Sequence, residues 1–442
     1  MTTTDSISDR QPVVIVFKPK KQRSLQLLDK TEIVRQVMSD RYQRDLLLID
    51  AAARPKGSSL TALTPELTGF DVDRYDTPIV CTRLTANERR QLARHPDVEL
   101  IEDDVDLVGS QSVLRRHPAV QGQPRLEAET VPAGVAHVRA PDAWGCSQGR
   151  GIRVAVLDTG IDDSHPDLAA NVLGGVGLVP GTPSERDDEG HGTFCAGVIG
   201  AAADGAGLIG MAPQVSLYAV KVSDRSARFS LRSVIAGLDW CIANRMQVIS
   251  MSFGMTRPSL ALYLMCQRAW ASGAVLVASA GNASSEAGAQ FPAAFDLVLG
   301  VTAIDRHNLR YPQANVGNGV DLCAPGVDVM STGLRGGYQT MTGTSAAAPH
   351  VAGAAALAWG SHRFATNAEI VHLLLANARP LEATGRDGRG PRLGHGRVDA
   401  AAAAAELDRP LGPLMAPGGC SVRAGLDERG QRRALRLDQA LS

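Results

Sequence analysis

At 442 residues the chain exceeds the usual size of one hydrophobic core, so two domains are expected. With 44% apolar residues, 21% charged residues and a net charge of −1, it has a globular composition and no bulk charge with which to hold nucleic acid. No apolar run approaches the roughly 18–20 residues of a membrane helix, so no membrane partner is expected either.

In chain order, residues 1–11 read as a flexible start and 12–108 as a small α+β domain. The first residues have no basic region and only a short apolar run, VVIVF, so they do not read as a secretory signal peptide. "PVVIVF" is a strand, residues 31–48 form a helix with Ile33, Val34, Val37 and Met38 apolar, and "TPIVCTRL" is a second strand. Thr85 and Glu88 have capping-box spacing and open a short helix, after which "DVELIEDDVDL" supplies the last strand. Residues 109–128 lose periodicity and read as a linker, and residues 408–442 as a tail.

Between them, residues 129–407 alternate helices with uniformly apolar strands: "RVAVLD", "VSLYAVKV", "QVISMSF", "AVLVASAG" and "LVLGVTAI". Strands apolar on both faces belong to a parallel α/β sheet, whose reactive groups lie at the carboxyl ends of its strands. The seven cysteines (Cys81, Cys146, Cys195, Cys241, Cys266, Cys323 and Cys420) are odd in number and lack a CxxC pair. They read as scattered reduced thiols. With the missing leader they favour a cytoplasmic location, leaving an extracellular one to non-classical export or a misassigned start.

Four strand-end or helix-start residues draw notice. Asp158 ends "RVAVLD", His191 sits between glycines in "DEGHGTFCAG", Asn282 follows "VASAG", and Ser345 precedes an alanine-rich run in "TGTSAAAPHVAG". Singly, each has an ordinary reading: a turn carboxylate, a structural histidine, a capping amide, a helix cap. Together they suit acyl transfer. A serine hydroxyl needs a base, an imidazole titrates near neutrality, and a buried carboxylate orients that imidazole. An amide with a helix-start N–H can hold the oxyanion.

The segments "VAVLDTGIDDSHPDL", "GHGTFCAG" and "GTSAAAPHVAG", in the order Asp, His, Ser, resemble the subtilisin-like serine proteases, an order that general rules give for subtilisin itself. The likeness continues through "IGMAPQVSLYAVKV", "VISMSFG" and "SAGN", over roughly residues 131–407. It implies a three-layer parallel-sheet peptidase domain and a serine endopeptidase that acts on proteins or peptides through an acyl-enzyme. Asp158 would orient, His191 would be the general base, Ser345 the nucleophile and Asn282 the oxyanion donor. The alternative is a non-catalytic scaffold that only binds peptides, and the complete set of four argues against it. Ser252, Phe253 and Gly254 would form one wall of the substrate cleft, and Ala278, Ser279, Ala280 and Gly281 the other. Ala283 stands where many relatives carry an acid, which implies an apolar P1 preference unless an acid such as Glu286 reaches in. A structural calcium would draw on Glu129, Asp167 and Asp204 with carbonyls of Ala202, Ala206 and Leu208.

The first domain resembles the ferredoxin-like inhibitory propeptide of the same family. A self-inhibited, monomeric zymogen cleaved between Gly109 and Glu129 is implied. The chain departs from the family at Phe194, Ala346 and Ala348, which are expected to be packing positions. Cys195 matches a thiol that one branch carries beneath its histidine, and it reads as a small buried hydrophobe. Pro349 is expected in the first helical turn, where its missing N–H removes no bond.

Overall fold

Two sheets of opposite kind follow from the two hydrophobic patterns. In a computed structural model of the chain, the residues described are 10–18, 61–64, 67–69, 79–109, 113–116 and 126–405, apart from 180, 181, 183, 287, 384 and 386–389. The helix expected over 31–48 and the tail from 408 lie outside them, as does Cys420. The first sheet is antiparallel, from β1 (Gln11–Phe17), β2 (Thr61–Thr64), β3 (Leu67–Gly69), β4 (Ile79–Leu84) and β5 (Val98–Asp103), in the order β2-β3-β4-β1-β5. Helix α1 (Ala86–Leu92) opens with the expected capping box. Thr85 Oγ1 accepts from the Glu88 N–H at 3.3 Å, and the Glu88 carboxylate accepts from the Thr85 N–H at 2.8 Å. The same carboxylate takes both ends of the buried Arg10 guanidinium, at 2.7 and 2.8 Å.

The stretch expected to end in one strand makes two. After β5 the chain turns into β6 (Asp106–Gly109), which leaves the first sheet, and then β7 (Val113–Arg116), a strand where only linker was expected. Next come β8 (Arg153–Asp158), β9 (Val172–Gly177), helix α2 (His191–Gly200), β10 (Ser216–Lys221) and β11 (Arg228–Ser230). Helix α3 (Leu231–Ala243), β12 (Val248–Met251), β13 (Phe253–Gly254), helix α4 (Leu260–Ala271), β14 (Val275–Ser279) and β15 (Val298–Ile304) continue the alternation. The last elements used below are β16 (Leu322–Pro325), β17 (Val329–Thr332), β18 (Tyr338–Thr342), α5 (Thr344–Ser361) and α6 (Asn367–Ala376).

Seven of these strands form one parallel sheet in the order β16-β15-β14-β12-β8-β10-β9. Both faces are covered, as the apolar runs require. Alanine-rich α5 and α2 pack on one side with Val154, Val156, Val277 and Leu299; α3 and α4 cover the other with Ala155, Leu157, Ile249 and Leu276. The small residues of α5 permit close approach. A Cβ on Gly353 would lie 2.3 Å from Met211 Cβ.

The antiparallel sheet seats itself on α3 and α4, where Val14, Val16, Ile79 and Cys81 join the apolar cluster of Ile235, Leu262 and Met265. Two of its acids meet the N-termini of those helices. Glu102 accepts from Ser259 Oγ at 2.9 Å and from the Leu260 and Ala261 N–H groups at 2.8 and 3.2 Å, while Asp104 accepts from the Arg232 N–H at 2.9 Å. Anions there satisfy first-turn N–H groups and face the positive end of the helix dipole.

Candidate active site

Adjacent strands β14, β12 and β8 end side by side; Asp158 closes β8 and Asn282 follows β14, while His191 and Ser345 lie in the first turns of α2 and α5. Asp158 is fully buried, and Thr159 donates its N–H to Oδ1 at 2.8 Å. His191 opens α2 behind Gly190, whose φ of +112° only glycine adopts readily. Its Nδ1 lies 2.7 Å from Asp158 Oδ1, which makes Nδ1 the protonated nitrogen and leaves Nε2 to act as base. Burial works against the imidazolium, but the facing Asp158 carboxylate outweighs it and holds the pKa well above 6.5. Gly192 allows the close approach: a Cβ there would meet the Gly160 carbonyl at 2.1 Å and Asp158 Cβ at 3.1 Å.

Ser345 is the second residue of α5 rather than its cap, which is Gly343, with no side-chain cap bond. The ordinary helix-cap reading of this serine therefore does not hold. Its N–H belongs to the first turn, which has no intrahelical acceptor. The hydroxyl donates to the Ser252 carbonyl at 3.1 Å, and buried His191 Nε2 has no hydrogen-bond partner among the described residues. In a site without substrate, catalytic hydrogen bonds such as serine to histidine are often long or poorly aligned and tighten only in the complex.

Pro349 corrects another expectation. It is the sixth helical residue, not a first-turn one, and its absent N–H would have bonded the Ser345 carbonyl four residues back. That carbonyl instead accepts from Ser252 Oγ at 3.4 Å and lies 3.7 Å from Cys195 Sγ. Proline thus frees a carbonyl that ties the serine to the strand end beside it. Cys195 lies 4.0 Å from His191 Nδ1, and burial pushes its thiol pKa up, so it is a neutral, small buried group. Asp158, His191 and Cys195 are the only metal-type cluster among the described residues, and the direct carboxylate–imidazole bond already occupies it.

Asn282 completes the constellation. Its Oδ1 accepts the Thr344 N–H at 3.0 Å, fixing the amide, and its buried Nδ2 has no partner among the described residues. A donor held one residue from Ser345 and left unused is what an oxyanion requires. Ser252, Phe253 and Gly254 are buried at the end of β12, and Ala278, Ser279, Ala280 and Gly281 are buried at the end of β14. Ala283 is exposed, and Glu286 is engaged by Arg310 at 3.3 Å and Arg392 at 3.2 Å. Phe194, Ala346 and Ala348 are all fully buried core residues.

The residues expected to hold calcium converge in part. Asp167 Oδ2 accepts from the Leu208 N–H at 2.8 Å and Glu129 Oε1 from the Gly205 N–H at 2.5 Å. A Cβ on Gly207 would lie 2.1 Å from Asp167 Oδ1, and the Ala202 N–H donates to the Asp167 carbonyl at 2.8 Å. Ala206 and Asp204 lie in the same loop, but among the described residues the three carboxylates do not form one tight cluster. Sequence reading missed Lys221. Fully buried opposite Asp158, it donates to the Thr159 carbonyl at 2.6 Å and Asp188 at 2.7 Å. A lysine closing an otherwise apolar strand was its one signal.

Residues 149–401, more than half of the chain, match the subtilase family, Peptidase_S8. The chain belongs to the subtilase family. It is 37% identical over 332 residues to a thermostable alkaline protease of Halalkalibacterium halodurans, covering 72% of this chain and 86% of that protein. It is 41% identical over 264 residues to subtilisin BL of Lederbergia lenta (60% and 97%) and 41% identical over 248 residues to subtilisin E of Bacillus subtilis (55% and 65%). The subtilase chain is a serine endopeptidase, and its substrates are proteins or peptides. One expectation is overturned. The alkaline proteases and subtilisins it matches are secreted enzymes, in conflict with a cytoplasmic location. Unpaired thiols are a weak guide to compartment because burial by itself can keep them apart: of the six described, only Cys146 is exposed.

Proposed function

We propose that this subtilase is made as a self-inhibited zymogen whose residues 12–108 fold as an inhibitory prodomain and whose residues 129–407 form the peptidase. The observation that carries the reading is the path of β6 and β7. Strand β6 pairs antiparallel with β13 (Phe253 opposite Gly109, Gly254 opposite Val108) and with β11, and buries Leu107 among Phe229 and Phe253. Strand β7 pairs antiparallel with β18, Thr342 opposite Val113. Ser252 precedes β13, and Ser345 follows β18 by three positions. The chain's own segment therefore engages both sides of the serine as an extended peptide would. The alignment that covers 72% of the chain, more than residues 149–401 supply, also favours a shared N-terminal region. Cleavage between 109 and 128 would release the mature, monomeric enzyme.

In the proposed reaction Ser345 Oγ attacks the scissile carbonyl while His191 Nε2 takes its proton and Asp158 stabilises the imidazolium. The Asn282 amide and the Ser345 N–H hold the oxyanion. His191 then passes the proton to the leaving amine, and water, activated by the same nitrogen, hydrolyses the acyl-enzyme. Calcium would cross-link the Asp167 region to the 202–208 loop through Asp167, Asp204, Glu129 and the carbonyls of Ala202, Ala206 and Leu208. The support is that the Asp167 and Glu129 carboxylates both reach this loop, at the Leu208 and Gly205 N–H groups, and that Gly207 lets Asp167 approach closely. Intact mass of wild type and Ser345→Ala tests the zymogen reading. Self-cleavage within 109–128 is expected in wild type alone; a wild-type chain that stays whole refutes it.

A further inference from the structure

We propose that Lys221 is a positioning residue for the Asp158–His191 pair: its ammonium ties the loop after Asp158 to the loop before His191, and so holds carboxylate and imidazole in register. This rests on the reaction proposed above, in which those two residues work together. Lys221 closes β10 opposite Asp158 in the neighbouring strand and is fully buried. Its Nζ donates to three oxygens: the Thr159 carbonyl at 2.6 Å, the Arg186 carbonyl at 3.1 Å and Asp188 Oδ1 at 2.7 Å. The first belongs to the residue after Asp158, and the other two lie in the loop that leads to His191.

What Lys221 grips touches the pair or the helix that carries it. Thr159 donates its N–H to Asp158 Oδ1 at 2.8 Å and accepts the Gly192 N–H on Oγ1 at 2.9 Å, so one residue bonds both sides of the carboxylate–imidazole contact. Asp187, between Arg186 and Asp188, accepts the Gly190 and Thr193 N–H groups at 2.9 Å each, at the start of α2. Residues 129–407 contain a single lysine, this one, among many arginines. The three oxygens around it give the reason. An ammonium turns three donors toward three separately placed acceptors, whereas a guanidinium spreads its donors in one planar fork. A buried cation is costly unless paired, and this one has an acceptor for each donor. The two loops are also joined without it. Ile161 donates its N–H to the Glu185 carbonyl at 3.2 Å, Asp187 donates its own to the Ile161 carbonyl at 3.3 Å, and Arg225 holds Asp188 Oδ2 at 2.8 Å. Lys221 therefore adds the alignment of the loops, not their attachment.

The test compares wild type, Lys221→Met and Asp158→Asn on a fluorogenic peptide, with kcat counted per serine that a fluorophosphonate labels. Methionine keeps the stem and removes the ammonium. In Lys221→Met, kcat should fall about 10–10²-fold with KM little changed, the cost of misplacing a catalytic group by about 1 Å. The downfield proton resonance of His191 Nδ1–H, in its bond to Asp158, should shift or broaden, which a loss of stability alone does not cause. Combined with Thr159→Val, which unmakes the Gly192 bond, the loss should be well short of multiplicative because both changes disturb one alignment. Wild-type kcat and resonance beside a lowered melting temperature overturn the positioning role and leave the pair intact. Wild-type kcat in Asp158→Asn refutes the pair itself, and the role of Lys221 with it. Should Lys221→Met not fold, Asp188→Ala is measured in its place. Removing one of the three acceptors should lower kcat about three- to tenfold, and an unchanged kcat overturns the proposal.

Discussion

Glu102 sits at the point where the N-terminal domain's hold on the peptidase can be weakened without touching the cleft. Its carboxylate accepts three bonds at the start of α4, at 2.8, 2.9 and 3.2 Å. Hydrogen bonds to a charged group contribute about 1.5–3 kcal/mol, and an anion at a helix N-terminus adds about 0.3–1 kcal/mol. The group is only half-buried, and Ser259 still accepts from the Leu262 N–H at 3.1 Å after Glu102 is removed, so the lower part of that range applies. Glu102→Ala should therefore cost about 2 kcal/mol of docking, roughly a 30-fold change in the opening equilibrium. In a Ser345→Ala chain, which on the zymogen reading cannot cut itself, this is read by hydrogen exchange of the β6 amides. They should exchange roughly 30-fold faster, with Glu102→Gln between, while amides of α5 keep their protection. Unchanged β6 exchange, or equal acceleration in α5, would refute the assignment of docking strength to this carboxylate.

Asn282→Leu keeps the volume and removes the unused donor; kcat should fall by about 10²–10³, a figure whose own source is a subtilisin, with KM little changed. On the proposed mechanism catalysis needs neutral His191, and Asp158 raises its pKa, so the acid limb of kcat/KM should lie above pH 6.5, and Asp158→Asn should move it down because the carboxylate that opposes burial is then gone. The sign for stability is opposite: a raised histidine pKa stabilises the fold below the unfolded value near 6.5, and that contribution fades as pH rises through the folded value. Gly192→Ala would drive a methyl to 2.1 Å from the Gly160 carbonyl, and should cut fluorophosphonate labelling of Ser345 far more than it lowers the melting temperature. Chelation by EDTA should lower the melting temperature by several degrees, and Asp167→Asn should remove most of that sensitivity; identical melting curves with and without chelator would exclude a calcium cross-link.

How much could be read without coordinates depended on range. The apolar strands from Arg153 to Ile304 announced a sheet buried on both faces, and Thr85 with Glu88 announced a helix start, because each pattern is written within a few residues. The order of Asp158, His191 and Ser345 in their motifs pointed to one chemistry before any distance was known. Tertiary structure alone decided that Nδ1 of His191 meets Asp158 and that Pro349 frees the Ser345 carbonyl for Ser252. It also decided that Lys221 lies buried opposite Asp158 and that a supposed linker supplies β7. Each of these joins groups far apart in the chain, so no local propensity encodes it. Val113–Arg116 is a strand only because β18 presents an edge to it, and Glu102 is a helix cap only because docking brings α4 to it.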